Sequence, residues 1–298
     1  MCVYRITVQK QQTAIYIKKA KLLRWFSPLS PVFCMQIDLN ADIGEGFDDV
    51  AIIPWISSAN ISCGAHAGTE AQIRAAIRHC KKAGVAIGAH PSYPDKSNFG
   101  RKLMLLSATQ LGDSLSAQLQ YFFALCAQEN AVIRHVKPHG ALYNHVAKDE
   151  ATARVLLELM QQLCPKLLLV TLPDSILAKL APDYGIKVIS EAFADRAYRA
   201  DGSLVPRSEP GALLSPEAAV AQSLCISQQL PLQLSEGQLL LRAQSLCLHG
   251  DSPSAVALAK RLNQALVAAG VRICAVTSAA DSGTSVSGAQ SDGAHHAD

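Results

Sequence analysis

The chain has 298 residues, 49% of them hydrophobic and 17% charged, which excludes a disordered or polyelectrolyte protein. Residues 1–37 hold six basic side chains (Arg5, Lys10, Lys18, Lys19, Lys21, Arg24) and no acidic one, so the formal charge of +3 hides a slightly acidic remainder with 21 basic against 24 acidic residues. Scattered charge of that kind leaves no footprint for nucleic acid, and no run of eighteen apolar residues is present to span a bilayer.

In chain order, residues 1–34 mix basic and hydrophobic positions without a secretory core or a small-residue cleavage site. They are expected to form a poorly ordered extension, with Met35 as the working start. Residues 35–276 are expected to form one domain, because no Pro- or Ser-rich linker interrupts them. Residues 277–298 are rich in Ser, Gly and Ala and read as a flexible tail. The nine cysteines are an odd count with no Cys-x-x-Cys pair, as expected of buried thiols in a reducing cytoplasm.

Within 35–276, short apolar runs alternate with longer segments of helical period, the βα order of a parallel-sheet protein. Strands are expected near 36–41, 57–63, 85–89, 132–137, 167–171, 186–191 and 244–249, with an eighth candidate at 271–276. Helices are expected near 69–83, 107–129, 149–163, 173–182, 215–229 and 252–269. Ile73, Ala76, Ile77 and Cys80 share one face of the first of these helices, which Gly84 should stop. Asp251 to Pro253 should start the last. The pattern leaves two architectures open, a βα barrel or a doubly wound sheet.

In both, function gathers at the carboxyl ends of the strands. Asp38, Asn40 and Asp42 alternate along the first strand and so share one face. The second strand runs through Asn60 and Ser62 to His66, the third to His90, and the fourth through His135 and Lys137 to His139. Glu191 and Asp195 follow the sixth, and His249 and Asp251 the seventh. Any one of these is commonly a core polar group or a helix cap. Six strands each delivering polar groups at the same end point instead to a shared site. Asp251 also reads as an ordinary cap, and Asp195 with Arg196 as a structural ion pair.

The phosphate loop G-x-x-x-x-G-K-[ST] is absent, and GEGFDD at 44–49 lacks the third glycine of a dinucleotide fingerprint. Asp42, His66 and His90 form a candidate metal set, since a carboxylate and two imidazoles suit Zn²⁺ or a similar ion.

Several longer strings carry a resemblance: IDLNADIGEGF at 37–47, SSANISCGAHAG at 57–68, GVAIGAHPSYPD at 84–95, NFGR at 98–101, HVKPHGALYN at 135–144, EAFADRAYRADGSLVPRSEPGAL at 191–213 and CLHGD at 247–251. Over about residues 35–276, in order and without a missing block, the chain resembles the LamB/YcsF family. The resemblance implies a single-domain (β/α)7 barrel of the glycoside hydrolase/deacetylase type. It further implies one component of a three-component, ATP-dependent 5-oxoprolinase, with 5-oxoprolinase subunits B and C as partners. The implied reaction opens the lactam of 5-oxo-L-proline to L-glutamate while ATP goes to ADP and phosphate, with the ATP site on or shared with the partner subunits.

For such chemistry the candidate catalytic residues are Asp38, Asn40, Asp42, Glu45, His66, His90, Lys137 and His139. Asp42 is the first choice of general base, ahead of Asp38 and Glu45, and His66, His90 or His139 serves as acid or electrophile. His135, Glu191, Arg207 and His249 are candidate substrate-binding groups. Lys137 and Arg207 are the natural cations for a carboxylate or phosphate, and a lysine in an apolar strand must find an anion or lose its proton. Two other readings compete: a metal-dependent deacetylase or amidohydrolase acting alone, and a scaffold subunit that only binds the lactam.

Overall fold

The computed structural model describes residues 35–248 and 254–277. The strands in chain order are β1 (Gln36–Ile43), β2 (Ser58–Ser62), β3 (Ala86–His90), β4 (Ile133–Val136), β5 (Leu168–Thr171), β6 (Val188–Phe193), β7 (Leu232–Leu234), β8 (Gly237–Leu239), β9 (Ser245–Leu248) and β10 (Arg272–Ile273). Among the described residues, β1 to β6 and β9 pair side by side in parallel, and β9 pairs back onto β1 through Asp38↔Ser245 to Ala41↔Leu248. The sheet is thus a closed seven-stranded parallel barrel surrounded by helices, a (β/α)7 barrel rather than a doubly wound sheet.

The eighth strand candidate at 271–276 shrinks to β10, which pairs only with Gln36 and Ile37. From Asp38 onward β9 occupies that edge of β1, so β10 stays outside the closed ring.

Alternation sorts each strand. In β1, Ile37, Leu39, Ala41 and Ile43 join the main apolar core, while Asp38, Asn40 and Asp42 reach across the interior to β2, β6 and β9 partners. β5 gives the interior only Leu168 and Val170, which form a small separate cluster with Ile189. Six strands therefore line the barrel with polar groups and one with apolar groups.

The helices form where caps and apolar stripes coincide. Glu70–Ala83 opens on a Thr69–Gln72 capping box, buries Ile73, Ala76, Ile77 and Cys80, and ends at Gly84 with φ 70°. Ala108–Gln128 opens on a second box, Ser107 with Gln110. Pro216–Ser227 starts behind Ser215, with Pro216 in its first turn.

The expected helix at 173–182 divides into Ile176–Leu180 and a 3-10 turn at Ala181–Tyr184, because Pro182 cannot continue an α-helix. Short helices at Asp49–Ile52 and Gly140–Val146 and the β7–β8 hairpin lie outside the sequence expectation. Asp251 to Pro253 lie outside the described residues, and the last described helix is Ala255–Ala268. The described cysteines are free, and those at 63, 80, 126, 164 and 247 are buried. No helix among the described residues is long and apolar enough to cross a membrane.

Candidate active site

The interior polar groups fall into three connected sets. The first surrounds Asp38, which accepts hydrogen bonds from Ser57 (2.6 Å), Ser58 (2.7 and 2.9 Å) and Ser245. Burial raises its pKa, and the three hydroxyls oppose that rise. A carboxyl enclosed in this way ties β1 to β2 and β9.

The second set centres on Lys137, which is 2% exposed. Its Nζ lies 2.9 Å from Glu191 Oε1, 3.1 Å from Asp42 Oδ1, 3.3 Å from Asn40 Oδ1 and 3.0 Å from Cys247 Sγ. The rings of Phe193 and Tyr143 flank it at 5.6 and 5.9 Å. Burial alone would strip its proton, but Asp42, with Cys247 and Glu191 behind it, holds the pKa well above the ordinary lysine value. The lysine has found its anions inside the protein.

Asn40 and Asn60 stitch this set together. Asn40 Nδ2 donates to Glu191 Oε1 (2.8 Å) and Ser245 Oγ (2.6 Å). Asn60 Nδ2 donates to Asn40 Oδ1 (2.7 Å) and Asp42 Oδ1 (2.9 Å), and Asn60 Oδ1 accepts from His135 Nε2 (2.8 Å). Burial, reinforced by the Lys137 charge, lowers the His135 pKa to about 3, so its imidazole is neutral. Its ring fits over β3 because Gly88 has no side chain: a Cβ there would stand 2.0 Å from His135 Nε2.

The third set comprises Glu45, His66, His90 and His139, all buried, whose ligand-type atoms lie within 4.8 Å of one another. Glu45 follows β1 in a turn whose Gly44 and Gly46 have φ 73° and 97°. The β2–helix loop closes on that turn so tightly that a Cβ on Gly68 would meet Gly44 O at 2.1 Å. Glu45 Oε1 thereby reaches His66 Nε2 at 2.9 Å and His139 Nδ1 at 3.5 Å. His66 and His139 stack, with centroids 3.8 Å apart and planes 8° from parallel.

His90 Nε2 faces His139 Nδ1 at 2.9 Å and Asp42 Oδ2 at 3.4 Å, so Asp42 joins the second and third sets. Burial lowers the pKa of His66 to about 3, helped by the neighbouring His90, and takes His139 well below the ordinary histidine range.

Eight of the candidate residues therefore converge: Asn40, Asp42, Glu45, His66, His90, Lys137, His139 and Glu191, with His135 behind Asn60. Asp38 lies one step further along β1 in its serine cage. Arg207 is exposed in the loop after β6, and its charge adds to burial in lowering the pKa of Arg196. Arg196 itself donates from Nη2 to Val205 O at 2.7 Å. His249 lies outside the described residues. Of the candidate metal set, His66 and His90 lie in the third set together with Glu45 and His139, while Asp42 bridges to Lys137.

Sequence reasoning missed Ser92 and Gln118. Ser92 Oγ meets His66 Nδ1 at 2.9 Å, and Gln118 clamps the Ser92 backbone through bonds of 2.9 and 2.8 Å. The signal that could have found Gln118 was a lone amide on the apolar stripe of Leu111, Leu115, Phe122 and Leu125.

Comparison with known proteins agrees with this architecture. The sequence model of the LamB/YcsF family matches residues 37–281. A protein of Neisseria meningitidis serogroup A, named as the A subunit of 5-oxoprolinase, is 46% identical over 243 residues, covering 80% of this chain and 99% of its own length. One of the same name from Haemophilus influenzae (strain PittEE) is 45% identical over the same shares. The crystal structure of a lactam utilization protein from Thermus thermophilus superposes with a TM-score of 0.77 at 38% identity, over 81% of this chain and 100% of that one. The chain belongs to the LamB/YcsF family.

Proposed function

We propose that this chain is the A component of a cytoplasmic, ATP-dependent 5-oxoprolinase and that its barrel mouth opens the lactam of 5-oxo-L-proline to L-glutamate. A lactam is a resonance-stabilised amide, and water attacks it slowly until its carbonyl oxygen becomes a better place for negative charge. Phosphorylation of that oxygen by ATP gives an activated imidate. Water then adds to the carbon, the C–N bond breaks as the ring nitrogen takes a proton, and the acyl phosphate left on the opened chain is hydrolysed by a second water to glutamate and phosphate.

With no phosphate loop in this chain, the activation step is assigned to partner subunits B and C and ring opening to the barrel. Asp42 is assigned as the base that takes the water's proton. Lys137, 3.1 Å from its Oδ1, favours its ionised form, and its Oδ2 is turned toward the imidazoles. The His66, His90 and His139 group is assigned the electrophilic side of the reaction. Lys137 and Glu191 are assigned a positioning role, because they already neutralise one another.

The observation that carries the reading is this convergence of carboxylates, lysine and imidazoles in a barrel 46% identical to a protein named for 5-oxoprolinase. It is tested by glutamate release from 5-oxoproline and ATP, with the chain alone and then mixed with its candidate partner subunits. Release only in the full mixture is expected. Release by the chain alone, abolished by chelator and indifferent to ATP, would replace the reading with a metal-dependent amidohydrolase.

A further inference from the structure

We propose that Glu45, His66, His90 and His139 together hold one divalent transition-metal ion of the zinc class. The acceptors around the rings fix where the ring protons are. His90 Nδ1 lies 2.7 Å from the Lys137 carbonyl oxygen and His139 Nε2 lies 2.9 Å from that of Phe99. A carbonyl only accepts, so both of those nitrogens carry hydrogen. In neutral rings the other nitrogens are bare, and these are the two that face each other at 2.9 Å.

The His90–His139 clash is not relieved by exchanging tautomers, because either exchange turns a bare nitrogen onto a backbone carbonyl. Alongside, His66 Nε2 lies 2.9 Å from Glu45 Oε1, and His66 Nδ1 lies 2.9 Å from Ser92 Oγ, whose hydroxyl also reaches Tyr93 O at 2.8 Å. With the Ser92 hydroxyl on Tyr93 O, His66 Nδ1 donates to Ser92 and Nε2 turns its lone pair toward the same cluster. Relieving the clash by protonation puts a charge among imidazole rings that stack at 3.8 Å. A single dication relieves it and takes the carboxylate as a ligand.

Size and chemistry fit. A tetrahedral ion with bonds of about 2.0–2.1 Å sets its ligand atoms about 3.4 Å apart. The neighbouring pairs here are spaced at 2.9, 2.9 and 3.5 Å and all four ligand atoms lie within 4.8 Å of one another, so the widest pair has to draw in as the ion binds. Three imidazoles and one carboxylate suit zinc and its first-row neighbours, whereas magnesium and calcium prefer all-oxygen sites. Each histidine also has its remote nitrogen fixed by Lys137 O, Phe99 O or Ser92 Oγ, the outer-shell anchoring that metal-binding imidazoles require. Asp42 Oδ2, 3.4 Å from His90 Nε2, stands at the edge of the cluster.

Only the ion's role, as the electrophilic side of ring opening, rests on the lactam reading. Its binding is measured without substrate, so the two fail separately. The test titrates cobalt(II) into the chelator-stripped full-length chain, follows its visible absorption, displaces it with zinc, and measures the metal content of the protein as purified. One equivalent per chain is expected, with the strong absorption of a low-coordinate site and a rise in thermal midpoint on zinc addition.

His90→Gln and His139→Gln should each weaken binding by at least ~10²-fold, and Ser92→Ala by ~10-fold. A chain carrying His295→Ala and His296→Ala should bind unchanged, which separates the site from tail histidines. Circular dichroism checks that each variant is folded. Failure of the wild-type chain to bind cobalt or zinc stoichiometrically would overturn the proposal, as would binding that survives in both folded His90→Gln and His139→Gln.

Discussion

Lys137 Nζ and Glu191 Oε1 lie 2.9 Å apart inside the barrel, with 2% and 0% of their side chains exposed. Asp42 closes the other side of the ammonium at 3.1 Å. Removing one member of a buried pair leaves an uncompensated charge and costs about 3–5 kcal/mol, while removing both is far less damaging. Lys137→Met should therefore lower the urea unfolding free energy by about that amount, and adding Glu191→Gln should restore part of it. Parental stability in Lys137→Met would show that the pair contributes nothing to folding.

Gly88 and His135 make a steric pair. The Cβ introduced by Gly88→Ala would stand 2.0 Å from His135 Nε2, so the ring must move and its 2.8 Å bond to Asn60 must break. A loss of about 1–3 kcal/mol is expected. Combining it with His135→Ala should remove most of the added penalty of the alanine. Equal penalties in the two backgrounds would show that the ring is not what the new methyl meets.

His135 also sets a pH dependence. Its pKa falls from the ordinary histidine value of 6.5 to about 3 in the folded chain, so between those values the unfolded chain binds the extra proton. Stability contributed by the neutral ring is present above about pH 6.5 and is lost as pH falls toward 3. Urea titrations from about pH 7 to about pH 4.5 should give a shallower decline in His135→Gln than in the parent, by up to ~1.4 kcal/mol per pH unit. Identical slopes would mean that His135 protonates as readily folded as unfolded.

The strands and helices were legible because their signals are local, whereas closure into a barrel rests on the long-range pairing of β9 with β1 and was implied only by the family resemblance. The alternation of Asp38, Asn40 and Asp42 correctly placed all three on one interior face, and the stripe of Ile73, Ala76, Ile77 and Cys80 ahead of Gly84 correctly marked a helix and its end. The short helices at Asp49–Ile52 and Gly140–Val146 escaped, since four and seven residues are too few for a helical period to show. β10 looked like an eighth barrel strand because VRICAV carries the same apolar pattern, and only the pairing of β9 with β1 excludes it.

The site was legible by residue type and not by partner. That Lys137 needed an anion followed from its place in an apolar strand; that Asp42 and Glu191 both supply one is a matter of barrel closure, which spacing does not encode. The placing of Glu45 on His66 and His139 likewise depends on two positive-φ glycines, Gly44 and Gly46, and on the absence of a side chain at Gly68. Arg207 had the right chemistry for an anion, but it occupies an exposed turn beside Arg196.

Asp42→Asn offers the most direct test that the barrel itself opens the ring. The amide keeps the size of the side chain and can still accept from Asn60 and Lys137 through its oxygen, yet it cannot take a proton from water. The measurement is the rate of glutamate release from 5-oxoproline and ATP in the full three-subunit mixture, with this chain as parent or as Asp42→Asn, both verified as folded. A fall of at least ~10²-fold is expected, the scale of removing a general base; release at the parental rate would contradict ring opening by Asp42 and move the hydrolytic step out of this site.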